Sequence, residues 1–263
     1  WADTNRVMLR NRRIGCSVSG VAQFITNRGI HELKEWLENG YDTIQNWDKQ
    51  YSDWFAVPKS IKTTSVKPSG TVSLLAGATP GLHYPESRFY IRRIRLSKHS
   101  ELIEPMKKSG YKIEPAFGSE DTTSVVEVPV DVGEGIRTAG ELTIWEQFAI
   151  AAFMQRHWAD NQVSCTVTFN PETESEHIPH VLNYFQYHLK GISLLPRHDY
   201  GAYKQMPYES IDEKEYNKQV KKLSKLSFGV IKNEEAEIDK FCNNDSCEVP
   251  SLTGDNDDQE YAN

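Results

Sequence analysis

The chain has 263 residues, 38% hydrophobic and 25% charged, with a net charge of −7. That composition fits a globular protein of one large or two small domains, and the acidic balance argues against broad electrostatic binding of nucleic acid. No apolar run approaches the ~20 residues of a bilayer span, and the start lacks a signal-peptide pattern. Four cysteines are too few for a disulfide scaffold of this length and point to a reducing, cytoplasmic setting. Because the sequence opens on Trp1 directly into dense, helix-like residues, we expect a longer polypeptide upstream.

Val7 to Trp36 reads as helix broken near Gly15, Gly20 and Gly29. Asn39 to Asp53 reads as helix or long loop before Pro58. Phe89 to Leu96 reads as a strand, Ser100 as an N-cap of a helix ending at Gly110, and Tyr111 to Glu114 as a short strand. Valine-rich Ser124 to Val130 predicts another strand. Thr143 with Glu146 has the spacing of a capping box, and Trp145, Phe148, Ala149, Ala152 and Phe153 follow it at the spacing of one helix face. Val163 to Phe169 reads as a strand, Val181, Leu182, Phe185 and Leu189 as a helix stripe closed by Gly191, and Ile192 to Leu195 as a strand. This alternation predicts an α/β fold with parallel strands joined by crossovers. Glu213 to Leu226 reads as a charged surface helix, and the polar residues after Asn233 as a mobile tail. We therefore expect one region over residues 1–207 and a helix plus tail over 208–263.

The segment VKPSGTVSLLAGATPGLH, Val66 to His83, sets hydroxyl residues and glycines around a short apolar run. A phosphate needs several hydrogen-bond donors converging on a small volume, and main-chain N–H groups beside small residues and a helix start supply them. Pro68, Ser69, Gly70, Thr71, Val72 and Ser73 are the candidate set. Ser69 is placed to cap a short helix, Thr71 and Ser73 add hydroxyls, and Gly77 is placed to stop the helix. The GxxxxGK[ST] pattern of a P-loop is absent, and residue chemistry alone leaves open a tight turn that merely links two elements.

Neighbouring segments narrow this choice. Asn11-Arg-Arg-Ile-Gly15 with Ser17 and Gly20 resembles a helix of ribonucleotide reductase large subunits, and KPSGTVSLLAGATPGLHYPES resembles their substrate phosphate-binding loop. Met154 to Pro171 is similar to the helix and late barrel strand that follow. Ser193 to Pro196 and Gly201 to Glu209 are similar to the monomeric, adenosylcobalamin-dependent class. No Tyr-Tyr dipeptide marks the class with a separate radical subunit, and no Arg-Val-Cys-Gly-Tyr-like end marks the glycyl-radical class. The resemblance, from Arg6 to Cys247, implies the C-terminal part of a ten-stranded α/β barrel with a flexible redox tail. It also implies a ribonucleoside triphosphate substrate, adenosylcobalamin as cofactor, and thioredoxin or a similar dithiol as reductant. The family's Asn-x-Cys-x-Glu-like loop, which carries the radical cysteine and general base, is not found. The resemblance places it upstream of Trp1, so this chain alone is expected not to turn over. Two other readings stay open: the matching part of a reductase with a separate radical subunit, and a non-catalytic nucleotide-binding module.

Cys242 and Cys247 enclose four residues near the end of the chain. Such a pair can form a small disulfide ring and, if exposed, exchange freely. Half of a zinc site is the other reading, but the tail offers no histidine and no further cysteine. The resemblance implies a thiol shuttle that re-reduces barrel cysteines, although there the pair sits closer to the terminus, whereas here Glu248 to Asn263 follow it. Cys16 and Cys165 read as buried packing thiols. Arg88, Arg92, Arg93 and Arg95 read as a charged outer face or salt-bridged positions rather than phosphate ligands. Without a clustered set of metal-ligand spacing, no protein-bound metal is expected.

Overall fold

The computed structural model describes residues 1–69, 72–197 and 204–227. They divide into two compact units. The first comprises the described residues of Trp1–Tyr90, Val130–Tyr203 and Ser210–Tyr216; the second comprises those of Ile91–Pro129, Lys204–Glu209 and Asn217–Asn263. Cys242, Cys247 and the expected tail lie outside the described residues.

The first unit begins with helix α1 (Ala2–Arg10) and strand β1 (Arg13–Cys16). The Arg-Arg-Ile-Gly segment is therefore not helical as expected. β1 runs parallel to β2 (Lys62–Thr64), with Arg13 opposite Lys62 and Cys16 opposite Thr64. Backbone pairing with a distant strand outweighs the local helical pattern, as tertiary context often does. The shift carries Cys16 from its expected burial to an exposed position. Helix α2 (Val21–Trp54) follows, entered through Gly20 at φ 76° and interrupted at Gly29, where φ 83° and ψ 165° are non-helical. Glycine carries no Cβ penalty at positive φ, so these breaks fall where the sequence puts them. Asn39 to Asp53 is helical, and its solvent side carries Trp47, Tyr51, Trp54 and Phe55, all exposed and in ring contact through Tyr51.

Helix α3 (Val72–Leu75) is a single turn after β2. Strand β3 (Phe89–Ser97), helix α4 (Ile103–Lys108), strand β4 (Lys112–Pro115) and strand β5 (Thr123–Asp131) match their expected places. Ser100 is not the expected N-cap: that position falls to Leu102, which has no side-chain cap bond, and the Ser100 hydroxyl instead accepts from the Leu102 N–H at 3.2 Å just ahead of α4. Helix α5 (Ile144–His157) carries the expected capping box: the Glu146 N–H donates to Thr143 Oγ1 at 3.2 Å, and the Thr143 N–H donates to Glu146 Oε2 at 2.9 Å. Its buried face is Ile144, Phe148, Ala151 and Met154, with Ala149 exposed. The sequence stripe is thus rotated, because apolar residues surround this helix and the core selects among them. Strand β6 (Thr166–Phe169), the short helix α6 (Pro171–Glu174), helix α7 (Ile178–Phe185) and strand β7 (Ser193–Pro196) complete the alternating region. Phe148, Met154, Val163, Val167, Val181 and Phe185 belong to the core that packs α5 and α7 on β6.

The expectation of parallel strands holds for β6 and β7, which pair from Thr166 opposite Ser193 to Phe169 opposite Pro196. A parallel bridge between Val66 and Val163 links the extensions of β2 and β6. β1, β2, β6 and β7 thus lie side by side in one direction, stitched by Trp158 Nε1–H to Ser65 O at 2.9 Å and Ser164 N–H to Val66 O at 2.8 Å. β5 does not join this run. It pairs antiparallel with β4 in a four-stranded sheet ordered β4-β5-β3-β8, where β8 is Tyr208–Ser210. Charged helix α8 (Glu213–Val220) buries no residue, as expected for a surface helix, but it ends at Val220 rather than at the expected Leu226. Among the described residues the strands form three sheets.

In the second unit the arginine run is not an outer face: Arg92, Arg93 and Arg95 are all buried. Arg93 bonds Glu127 through Nε at 3.0 Å and Nη2 at 2.9 Å, and also pairs with Glu209. Arg92 lies over the Tyr208 ring at 4.5 Å and donates to Pro207 O at 3.2 Å. The salt-bridged alternative is therefore the one realised at Arg93, since the guanidinium fork tolerates burial only when carboxylates and carbonyls meet it.

Candidate functional site: the loop after the second parallel strand

The loop from Lys67 to Gly81 leaves the carboxyl end of the β2 extension. In open α/β sheets, ligands bind outside the carboxyl ends of parallel strands. Ser17 and Ser19, just past β1, stand at the same end because the two strands run the same way.

Within the loop, Ser69 Oγ accepts from the Ser73 N–H at 3.1 Å, the capping role its position predicts. The Ser73 hydroxyl donates back to Ser69 O. Ser73 is buried, so its hydroxyl is spent on the turn rather than offered outward. The Ser69 N–H donates to Lys67 O at 2.9 Å. The amides of Ser69 and Ser73 are therefore engaged inside the protein. Pro68 and Val72 are exposed, while Gly70 and Thr71 lie outside the described residues. Gly77, at φ 64°, follows the end of α3 as expected.

The loop is anchored at both ends. The Lys67 N–H donates to Ser17 Oγ at 3.0 Å, and the Gly81 N–H donates to Ser19 Oγ at 3.2 Å. Main-chain bonds run from Gly20 N–H to Thr79 O at 2.8 Å and from Val21 N–H to Gly81 O at 3.3 Å. At Gly81, φ is 52° and a Cβ would lie 2.8 Å from Lys67 O, so only glycine lets the two ends meet this closely. Gln23 holds the segment behind α3 with both ends of its amide: Nε2 donates to Gly77 O and Oε1 accepts from the Thr79 N–H, each at 2.8 Å. His83 Nε2 accepts from the Thr166 N–H at 3.2 Å and Nδ1 lies 3.3 Å from Pro80 O. That pairing fixes the proton on Nδ1, and burial holds the ring's pKa below its ordinary value.

Sequence reasoning found Ser69 and Gly77 but not Gln23, Ser19 or His83. Their only signal is proximity to the Gly20 break and to the loop's proline and glycine. Beside His83 is an enclosed cavity of about 50 Å³, lined among others by Gln147, Cys165, Thr166 and Thr168. Cys165 is buried as expected, and burial pushes its thiol up to about 12. An open groove of about 380 Å³ runs beside Gln23, Phe24, Arg28 and Trp36.

The mixed α/β fold is similar to that of a solved B-12 dependent (class II) ribonucleotide reductase. The match has a TM-score of 0.74 at 32% identity and covers 85% of this chain and 35% of that one. Among curated proteins, the chain is 55% identical over 252 residues to the adenosylcobalamin-dependent ribonucleoside-triphosphate reductase of Euglena gracilis, covering 94% of this chain and 35% of the relative. It is also 55% identical over 255 residues to the probable enzyme of that name in Dictyostelium discoideum, covering 95% and 34%. The bacterial enzyme of Levilactobacillus brevis matches at 36% identity over 253 residues. No protein-family model matches. The chain is homologous to part of the class II, adenosylcobalamin-dependent ribonucleotide reductases, and it spans about a third of the length of the relatives it matches.

Proposed function

We propose that this chain is the C-terminal portion of an adenosylcobalamin-dependent ribonucleoside-triphosphate reductase, a cytoplasmic enzyme that makes deoxyribonucleotides. Residues 1–207 contribute to a ten-stranded α/β barrel, and 208–263 append a helix and a redox tail. The parallel run β1, β2, β6, β7 supports the barrel reading. The segment Pro68 to Ser73 receives the phosphates of the ribonucleotide. The observation that carries this role is the loop's emergence at the carboxyl end of a parallel strand, tied down on both sides. The Ser69 and Ser73 amides are committed to the turn, which counts against these two N–H groups as phosphate donors.

Reduction of a ribonucleotide releases the 2′-hydroxyl as water and turns two cysteine thiols into a disulfide, a two-electron change. Cys242 and Cys247 would restore those thiols by exchange: one tail thiolate attacks the barrel disulfide and releases one barrel thiol, then the second tail thiolate attacks the tail sulfur of the mixed disulfide and displaces the other barrel thiol, leaving a tail disulfide and both barrel thiols reduced. The tail disulfide is then reduced by the dithiol of thioredoxin or a similar protein. The catalytic cysteine and glutamate belong to the part of the enzyme upstream of this chain.

Adenosylcobalamin, carried in the relatives' names, would supply the initiating radical. The enclosed cavity of about 50 Å³ and the open groove of about 380 Å³ do not fit it. Drug-sized ligands alone need roughly 300–1,000 Å³, and a corrin is larger. We therefore assign no residue here to the cofactor and route no step through it.

The phosphate role is tested with Ser69→Asp in the complete enzyme. A carboxylate in the cradle should weaken nucleoside triphosphate binding about tenfold or more, through like-charge repulsion. Unchanged affinity for the triphosphate would remove the phosphate assignment.

A further inference from the structure

We infer that Gln23 is a positioning residue for the substrate loop, an inference that rests on the phosphate-binding reading of that loop. Its side-chain amide grips the loop on both sides of Ala78: Gly77 O receives its N–H, and its carbonyl receives the Thr79 N–H. Donor and acceptor point in fixed, opposite senses, so the primary amide is the chemistry this site requires. Glutamate lacks the donor when ionised, and a shorter side chain loses the reach. The grip sits directly behind α3, whose Ser73 carbonyl accepts from both the Ala76 and Ala78 N–H groups. Holding Gly77 to Thr79 therefore holds the C-terminal end of the turn that Ser69 caps at its start. Gly20 supports the same contact: its N–H bonds Thr79 O, and with no Cβ, which would lie 3.3 Å from Gln23 Oε1, it leaves the amide room. Helix α2 thus sets where the loop stands without touching a phosphate itself.

The test uses the complete enzyme with Gln23→Ala and Gln23→Glu, read in two ways. Amide hydrogen exchange at Thr79 reports the grip and does not depend on substrate. It should speed up in Gln23→Ala while exchange in the α5 and α7 core stays slow. KM for the nucleoside triphosphate should rise about tenfold with kcat little changed, as expected for losing two hydrogen bonds that order a binding loop. In Gln23→Glu, ionised at neutral pH, the acceptor for the Thr79 N–H is kept but the donor to Gly77 O is lost, so KM should also rise while exchange at Thr79 stays slower than in Gln23→Ala. Unchanged exchange at Thr79 would show that the grip is not formed and overturn the inference. Faster exchange with unchanged KM would overturn the positioning role while leaving the grip. If Ser69→Asp weakens triphosphate binding in that same case, the phosphate reading stands and only the role of Gln23 falls.

Discussion

Cys16 and Cys165 are the two cysteines among the described residues, and both are free. Cys16 sits exposed on β1, whereas Cys165 is sealed in the core, where burial pushes its thiol up to about 12. The thiolate is the reacting form, so alkylation at mildly alkaline pH should mark Cys16 quickly and leave Cys165 untouched until the protein unfolds. Mass spectrometry of native and denatured samples measures this, and native labelling of Cys165 would contradict its placement. The raised pKa also has a sign for stability. The folded state favours the neutral thiol, so its contribution is full below the ordinary thiol range and is lost as pH rises through it toward 12. The sequence marked Cys165 as a packing cysteine because free cysteine is so often buried. The same rule failed for Cys16, since nothing local in Arg-Arg-Ile-Gly-Cys shows that this segment becomes a strand with an exposed edge.

Helix α5 shows how much of an element is written locally. Thr143 and Glu146 satisfy each other's main-chain N–H groups within one turn, so the helix start is legible without any tertiary knowledge. The Arg137 guanidinium, 2.8 Å from Glu146 Oε1, and the Thr143 amide together hold the Glu146 carboxyl down to about 2. Thr143→Ala should cost about 1 kcal/mol in urea unfolding, as the loss of an N-cap does. With the carboxylate favoured in the folded state, the benefit of Glu146 is present above the ordinary carboxylate range and fades as pH falls toward 2. The stability difference between wild type and Thr143→Ala should therefore narrow on acidification. A constant difference would show that the two residues do not act as one cap. Which face of α5 is buried was not local information. Trp145, Ala152 and Phe153 fit a stripe as well as Ile144, Ala151 and Met154 do, and the choice was made by what α7 and β6 present.

On the scale of the whole molecule, the redox tail and the barrel are parts of one cycle in our reading. Cys242→Ser in the complete enzyme should abolish repeated turnover with thioredoxin yet spare a single turnover of the pre-reduced enzyme. Rapid-quench product counts distinguish the two, and equal loss of both would sink the shuttle. Cys242 and Cys247 came from the sequence alone, through their spacing and the family resemblance. The parallel run that places the loop came from the structure, because pairing between residues near 14, 64, 165 and 194 leaves no trace in any local pattern.

The sequence by itself determined the α/β alternation, the helix breaks at Gly20 and Gly29, the capped start of α5, the Ser69 turn and the kinship with class II reductases. Each of these depends on residues a few positions apart or on a motif read in order. Only the tertiary structure decided that Arg13–Cys16 is a strand, that β5 joins a separate sheet antiparallel to β4, that Arg93 is buried against two carboxylates, and that Gln23 grips the loop. Each of those depends on which distant partner satisfies a main-chain or charged group, and burial settles that choice only once the whole chain has folded.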